Sequence, residues 1–236
     1  LLLSYLKNHQ TVFVDWGFME THGNNIKNVF NFYGPPGTGK TMAAHAVAAY
    51  LNKKIIVVNY AEIESKYVGE TPKNIVALFN EASQGGHVLF FDEADAMFSK
   101  RVTNMTSSTD TSVNQTRSVL LNIINDFGGI LVLATNFIEN FDPAFMRRIK
   151  MHVYFTLPDA ETRYRLFKLY LPGSAPYTGD IDQLIEPSDE LSGSDIANAT
   201  LQAAFDAAKM ERSIINNDDI INAIYRIKSS KVANVG

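Results

Sequence analysis

Gly34-Pro35-Pro36-Gly37-Thr38-Gly39-Lys40-Thr41 sets glycines, an ammonium and a hydroxyl at the spacing G-x-x-x-x-G-K-[ST]. Glycine lets the backbone curl until successive N–H groups turn inward, and the N-terminus of a following helix adds partial positive charge. Such a stretch suits phosphate oxygens. Lys40 would offset the charge of β- and γ-phosphates, and Thr41 would offer its hydroxyl to Mg²⁺. Pro36, Gly37, Thr38, Gly39, Lys40, Thr41 and Met42 are therefore the expected contacts of a bound nucleotide. Downstream, Val88-Leu89-Phe90-Phe91-Asp92-Glu93 puts two carboxylates at the end of an apolar run, where ligands of open α/β sheets bind. Asp92 would hold Mg²⁺ directly or through water, and Glu93 would orient and activate an attacking water. Taken alone, Asp92, Glu93 and Asp95 would read as a polar turn closing a strand; the phosphate loop upstream selects the catalytic reading.

These residues need a rigid frame, and the sequence supplies one. Runs rich in β-branched and aromatic residues at 28–33, 54–59, 87–92, 130–134 and 151–156 predict five strands. Several are apolar without alternation, as strands covered on both faces are. Helix-period segments lie between them, with Ile75, Leu78, Phe79 and Ala82 sharing one face. Alternating strand and helix predicts an α/β three-layer sandwich around a five-stranded parallel sheet. After Pro158 the pattern becomes helical throughout, with Asp159 as a cap and a capping box at Ser192-Gly193-Ser194-Asp195. A core at 1–158 and a small α-helical domain at 159–236 follow. On the long helix after Ser192, the predicted buried face is Ala197, Leu201, Ala204, Phe205 and Ala208. Residues 101–112, rich in Ser, Thr, Asn and Asp, predict an exposed, mobile loop.

Composition narrows the function classes. Among 236 residues, 46% are hydrophobic and 19% charged, as in a soluble globular protein. A net charge of −4 leaves no overall basic field for a polyanion. There are no cysteines, so disulfides and thiolate metal sites are excluded, and the expected location is cytoplasmic. The five histidines show no H-x-x-x-H spacing, so a transition-metal site is not expected. The apolar opening Leu1-Leu2-Leu3 is too short to span a bilayer, and no membrane span is expected. The chain begins on Leu rather than Met, which reads as a fragment with a substrate-recognising segment expected ahead of it.

The chain resembles the AAA+ P-loop ATPases, and within them the AAA group of protein unfoldases and of microtubule-severing and membrane-remodelling ATPases. The likeness is carried by G-P-P-G-T-G-K-T, by F-F-D-E-A-D, by Leu133-Ala134-Thr135-Asn136, by Asp142-Pro143-Ala144-Phe145-Met146-Arg147-Arg148 and by Ser192-Gly193-Ser194-Asp195-Ile196. It implies ATP and Mg²⁺ as cofactors. Asn136 matches a sensor between the γ-phosphate and the water, and Arg147 and Arg148 match arginine fingers that reach the neighbouring subunit's nucleotide. Lys66, Tyr67 and Val68 match the substrate-gripping pore loop, and Gly193 and Ser194 match the lid turn near the adenine. Asp15 and Gly17 are expected on the other wall of that pocket, while Trp16 between them reads as wall or as core. The stretch ahead of the phosphate loop departs from the family's usual sequence, and Ile149-Lys150-Met151-His152 is less basic than its counterpart.

The implied function is Mg²⁺-dependent ATP hydrolysis by a ring, expected to be a homohexamer, that remodels, unfolds or disassembles protein substrates. One alternative is an AAA+ motor on nucleic acid, like a clamp loader or helicase. It calls for basic pore loops, whereas the candidate loops hold one lysine beside Tyr67 and an uncharged stretch at 106–109, so nucleic acid is not the expected partner. Another is a nucleotide-gated scaffold, and retention of Glu93, Asn136, Arg147 and Arg148 argues against it.

Overall fold

The computed structural model describes residues 2–22, 28–59, 71–99 and 108–233. The chain divides into two compact units, Leu1–Gly34 with Lys40–Tyr154, and Pro35–Gly39 with Phe155–Gly236.

In the first unit, β1 (Asn28–Tyr33), β2 (Ile55–Val58), β3 (Val88–Phe91), β4 (Ile130–Thr135) and β5 (Met151–Tyr154) form one five-stranded sheet. Every pairing is parallel and the order is β2-β3-β4-β1-β5. The unbroken apolar runs are explained by burial on both faces. Val29, Leu131, Leu133, Leu89 and Phe91 lie in register on one face and pack with Ile75, Phe79 and Ala82 of α4 (Thr71–Gly85). Phe30, Val132 and Phe90 share the other face, where α3 (Lys40–Tyr50) buries Ala44, Val47 and Ala48. Tyr5 of α1 (Leu2–Gln10) meets Phe30 edge-on, with ring centroids 6.0 Å apart. Fully burying a ring or branched side chain is worth about 1.5–3 kcal/mol, so these two faces hold the sheet in its layers.

Strand order matters more than strand count for the chemistry. Because β4 lies between β3 and β1, the loops leaving the C-terminal ends of three adjacent strands carry Gly34, Asp92 and Asn136. A π-helical turn (Thr11–Asp15) and α2 (Phe18–His22) complete the N-terminal stretch. Trp16 between them is 68% exposed, so it is not a core residue.

Two expectations need correction. The predicted loop at 101–112 overlaps α6 (Ser108–Asp126), and the rest of it lies outside the described residues. Ser, Thr and Asp favour helix starts as readily as loops, and burial of Leu120 and Ile124 further along anchors the helix. The second correction concerns the helical unit, made of α8 (Ala160–Tyr170), α9 (Asp182–Ile185), α10 (Gly193–Lys209) and α11 (Asn217–Ala233). The buried face of α10 is Ile196, Ala199, Thr200, Ala203 and Ala207, while Leu201 is 57% and Phe205 68% exposed. Small side chains face inward here because they bring α10 close to Ile220, Ala223 and Ile224 of α11.

Polar contacts define the ends of these helices. Asp159 accepts from the Thr162 amide at 2.8 Å, as a helix cap should. The capping box forms as predicted: Ser192 Oγ accepts from the Asp195 amide, and Asp195 Oδ2 accepts from the Ser192 amide at 2.7 Å. Lys231 of α11 closes on the same Asp195 carboxylate. Buried Arg163 donates to the carbonyls of Pro158 and Ile185 and pairs with Asp189 at 3.1 Å.

Candidate active site

The sequence places an ammonium and a hydroxyl at the start of α3, and the fold sets both beside a carboxylate leaving β3. Thr41 Oγ1 donates to Asp92 Oδ2 at 2.8 Å, while the Glu93 amide donates to Asp92 Oδ1 at 3.0 Å. Both carboxylate oxygens are thereby oriented. Lys40 is 8% exposed and donates to the Gly34 carbonyl at 2.8 Å. Burial pushes its ammonium below the ordinary lysine value, and the Asp92 charge works in the opposite direction.

A hydroxyl next to one carboxylate is an incomplete all-protein cage, and it fits Mg²⁺, which takes few protein ligands and fills its octahedron with water and phosphate oxygens. Among the described residues no group of three or more His, Asp or Glu could hold a metal ion.

Glu93 follows Asp92 with φ 50°, a left-handed conformation that costs a non-glycine residue about 1 kcal/mol or more. Its side chain is exposed. The next residues are tied to β4: the Ala94 amide donates to the Ala134 carbonyl at 2.8 Å, and Asp95 Oδ1 accepts from Thr135 Oγ1 at 2.7 Å. Thr135 Oγ1 in turn accepts from the Phe137 amide at 2.9 Å. Asn136 lies between those two residues and is exposed just past the end of β4.

The two arginines differ. Arg147, the C-cap of α7 (Pro143–Met146), is exposed. Arg148 is held within its own chain, donating from Nε to Asn125 Oδ1 at 2.9 Å and from Nη1 to the Ala144 carbonyl at 2.5 Å. Asp142 caps α7 by accepting from the Ala144 amide at 2.7 Å, and its own amide donates to Phe98 of α5 (Asp95–Phe98) at 2.8 Å. Buried Arg117 lies 3.9 Å from the Asp142 carboxylate.

Pro35–Gly39 groups with the helical unit. Gly37 has φ 74° and its carbonyl accepts from the Ser194 amide at 3.2 Å. A Cβ at Gly37 would come within 2.5 Å of Ser192 Oγ and 3.0 Å of Ser194 Cβ, so this position requires glycine twice over. Gly39 has φ 94°, and Thr38 Oγ1 donates to the Pro35 carbonyl at 2.8 Å. Pro36 belongs to the same loop, Gly193 opens α10, and a Cβ on Gly193 would lie 3.5 Å from the Gly37 carbonyl.

Met42, one residue past Thr41, is 70% exposed. Asp15 is exposed at the end of the π-helical turn, and Gly17 has φ 75° with open space where a Cβ would go. Lys66, Tyr67 and Val68 lie outside the described residues. Asp95, Thr135, Asn125 and Asp142 were not expected as site residues; the faint signal for the first two was a third acid in Asp92-Glu93-Ala94-Asp95 and a hydroxyl directly before Asn136.

A sequence model of the ATPase family associated with various cellular activities (AAA) matches residues 30–157. The 26S proteasome subunit RPT4 of Saccharomyces cerevisiae is 33% identical over 208 residues, covering 84% of this chain and 47% of that protein. The proteasome-activating nucleotidase of Methanopyrus kandleri is 32% identical over 207 residues, with the same coverage of 84% and 47%. The chain thus spans about half the length of the curated relatives it matches. Among solved structures, the FIGL-1 AAA domain in complex with ADP superposes with a TM-score of 0.69 at 26% identity, covering 84% of this chain and 70% of that one.

Proposed function

The chain belongs to the AAA family of ATPases, and on that premise we propose that it hydrolyses ATP with Mg²⁺ as part of a ring that remodels protein substrates. One observation carries the reading: the Thr41 hydroxyl and the Asp92 carboxylate, 2.8 Å apart, stand directly beside Glu93 at the end of β3. We take 1–158 as the catalytic core and 159–236 as the lid.

Lys40 offsets phosphate charge from a partly desolvated position, where an ammonium acts more strongly than in water. Thr41 and Asp92 would hold Mg²⁺, which when bound neutralises charge between the β- and γ-phosphates. Glu93 accepts the proton of the attacking water, and Asn136 orients that water. Gly193 and Ser194 take the adenine side. Asp15 and Gly17 are the other residues assigned to the adenine side.

Of the two arginines, Arg147 is the trans-acting finger, since it is exposed, whereas Arg148 braces the finger segment through Asn125 and Ala144. A finger of this kind requires a ring, for which six copies is the expected number. The protein partner is gripped by Lys66, Tyr67 and Val68. A cytoplasmic location accords with the lack of cysteine, and no described helix is long and apolar enough to cross a membrane.

The test is paired. Glu93→Gln should keep Mg²⁺-ATP bound while turnover falls by about 10²-fold or more, because shape is kept and the basic charge lost. Lys40→Ala should abolish nucleotide binding. Turnover by Glu93→Gln at the parent rate would overturn the assignment of the base.

A further inference from the structure

We infer that Asp95 and Thr135 are positioning residues for hydrolysis, together holding Asn136 in fixed relation to the turn that presents Glu93. The inference rests on the ATPase reading above.

Two hydrogen bonds join the two loops, and a third braces the loop after β4 around Asn136. Thr135 Oγ1 donates to Asp95 Oδ1 at 2.7 Å and accepts from the Phe137 amide at 2.9 Å. The Ala94 amide donates to the Ala134 carbonyl at 2.8 Å. The residues on both sides of Asn136 and the two that follow Glu93 are therefore cross-linked, while Glu93 and Asn136 themselves stay exposed and unengaged by the clamp. Thr135 is 1% exposed, so no bulk water can stand in for its hydroxyl. Two further features show why such a clamp is needed. Glu93 sits in the left-handed region, φ 50°, which a free loop would relax out of. And β3 ends two residues short of Glu93, so the ladder with β4 does not itself extend to it.

The clamp makes a separable demand on each partner. Thr135 must supply a hydroxyl that both donates and accepts; Asp95 need only accept. Valine at position 135 keeps the branched shape a strand favours and removes the hydroxyl, whereas serine keeps the hydroxyl and removes a methyl.

Thr135→Val, Thr135→Ser and Asp95→Asn would be compared with the parent by single-turnover Mg²⁺-ATP hydrolysis, nucleotide affinity and amide hydrogen exchange of the nucleotide-free protein. Misplacing a catalytic group by an ångström lowers rate by up to about 10²-fold. Thr135→Val should therefore lose between about ten- and a hundredfold in turnover with affinity within about threefold of the parent. Its Phe137 and Ala94 amides should exchange faster. Thr135→Ser should restore both readouts, and Asp95→Asn, which keeps an acceptor, should fall between. A Val variant with parental turnover, a Ser variant no better than Val, or a loss of affinity equal to the loss of turnover would each overturn the inference. A parent chain that binds but never hydrolyses ATP would instead overturn the ATPase reading, and with it the catalytic purpose of the clamp; unchanged exchange at Phe137 and Ala94 in the Val variant would show that the clamp itself does not operate.

Discussion

Phenylalanine fills the sheet unit and alanine fills the helical one. Phe79, Phe91, Phe98, Phe127, Phe141 and Phe145 interlock beneath the strand ends, with Phe98 meeting Phe145 at 4.6 Å and Phe91 at 5.7 Å. In the helical unit the contact between α10 and α11 is built on Ala199, Ala203, Ala207 and Ala223, with isoleucine between. Rings bridge the wide gap between a sheet and its helices and are hard to displace once packed. Alanines set a short distance between two helix axes. The difference teaches where each unit is intolerant: the first to lost volume, the second to added volume. It also matches their chemistry, because the strained Glu93 turn and the capped α7 both stand on the aromatic cluster through α5.

The most damaging way to probe that contrast is Phe98→Ala. It removes a fully buried ring touching Phe91, Phe141 and Phe145, and should destabilise the sheet unit by about 3–5 kcal/mol. Urea unfolding would measure it; a loss below about 1 kcal/mol would mean that the ring cluster is not the support of this region. Next comes Ala203→Leu, which forces a larger side chain into the seam between α10 and α11 and should cost about 1–3 kcal/mol. The reverse substitution at exposed Leu201, Leu201→Ala, should change stability by no more than about 0.5 kcal/mol. If Leu201→Ala were the more harmful of the two, the buried face of α10 would be the one its amphipathic pattern suggested.

The smallest expected effect concerns acid. Hydrogen bonding from Arg212 holds the Asp219 carboxyl below its ordinary value of 3.8, and the Asn216 amide adds to it. A carboxyl depressed on folding contributes stability that is complete above its unfolded value and is lost as pH falls through the folded one. Asp219→Asn should therefore flatten the acid limb of the helical unit's thermal stability below about pH 4, with a modest loss at neutral pH. An unaltered acid limb, followed by circular dichroism, would remove Asp219 from the account.

The central strands β3 and β4 were legible because burial on both faces writes an uninterrupted apolar run, as in Val88-Leu89-Phe90-Phe91. The α4 face was legible because its large residues do point inward. On α10 the same reasoning chose the wrong face, since size marks the core only when the neighbouring element stands far enough away to need it. Lys40 and Thr41 were proposed from motif spacing, Asp92 and Glu93 from their place at a strand end together with that motif, and the hydrogen bond from Thr41 to Asp92 joins two of the four. The link from Thr135 to Asp95 was not readable, because it depends on β3 and β4 being neighbours, and strand order is a property of the packed sheet rather than of either segment. The engagement of Arg148 by Asn125 was hidden as well, because it joins α6 to the segment after α7, which only packing brings together.

The amide of Ser194 has a spectroscopic use. It donates to the carbonyl of Gly37, a residue whose positive φ and lack of room for a Cβ only glycine meets. A peptide flip at Gly37 would remove that acceptor and move the Ser194 amide resonance upfield. One cross-peak in a ¹⁵N-labelled sample thus reads the shape of the phosphate loop, with no dye and no turnover required.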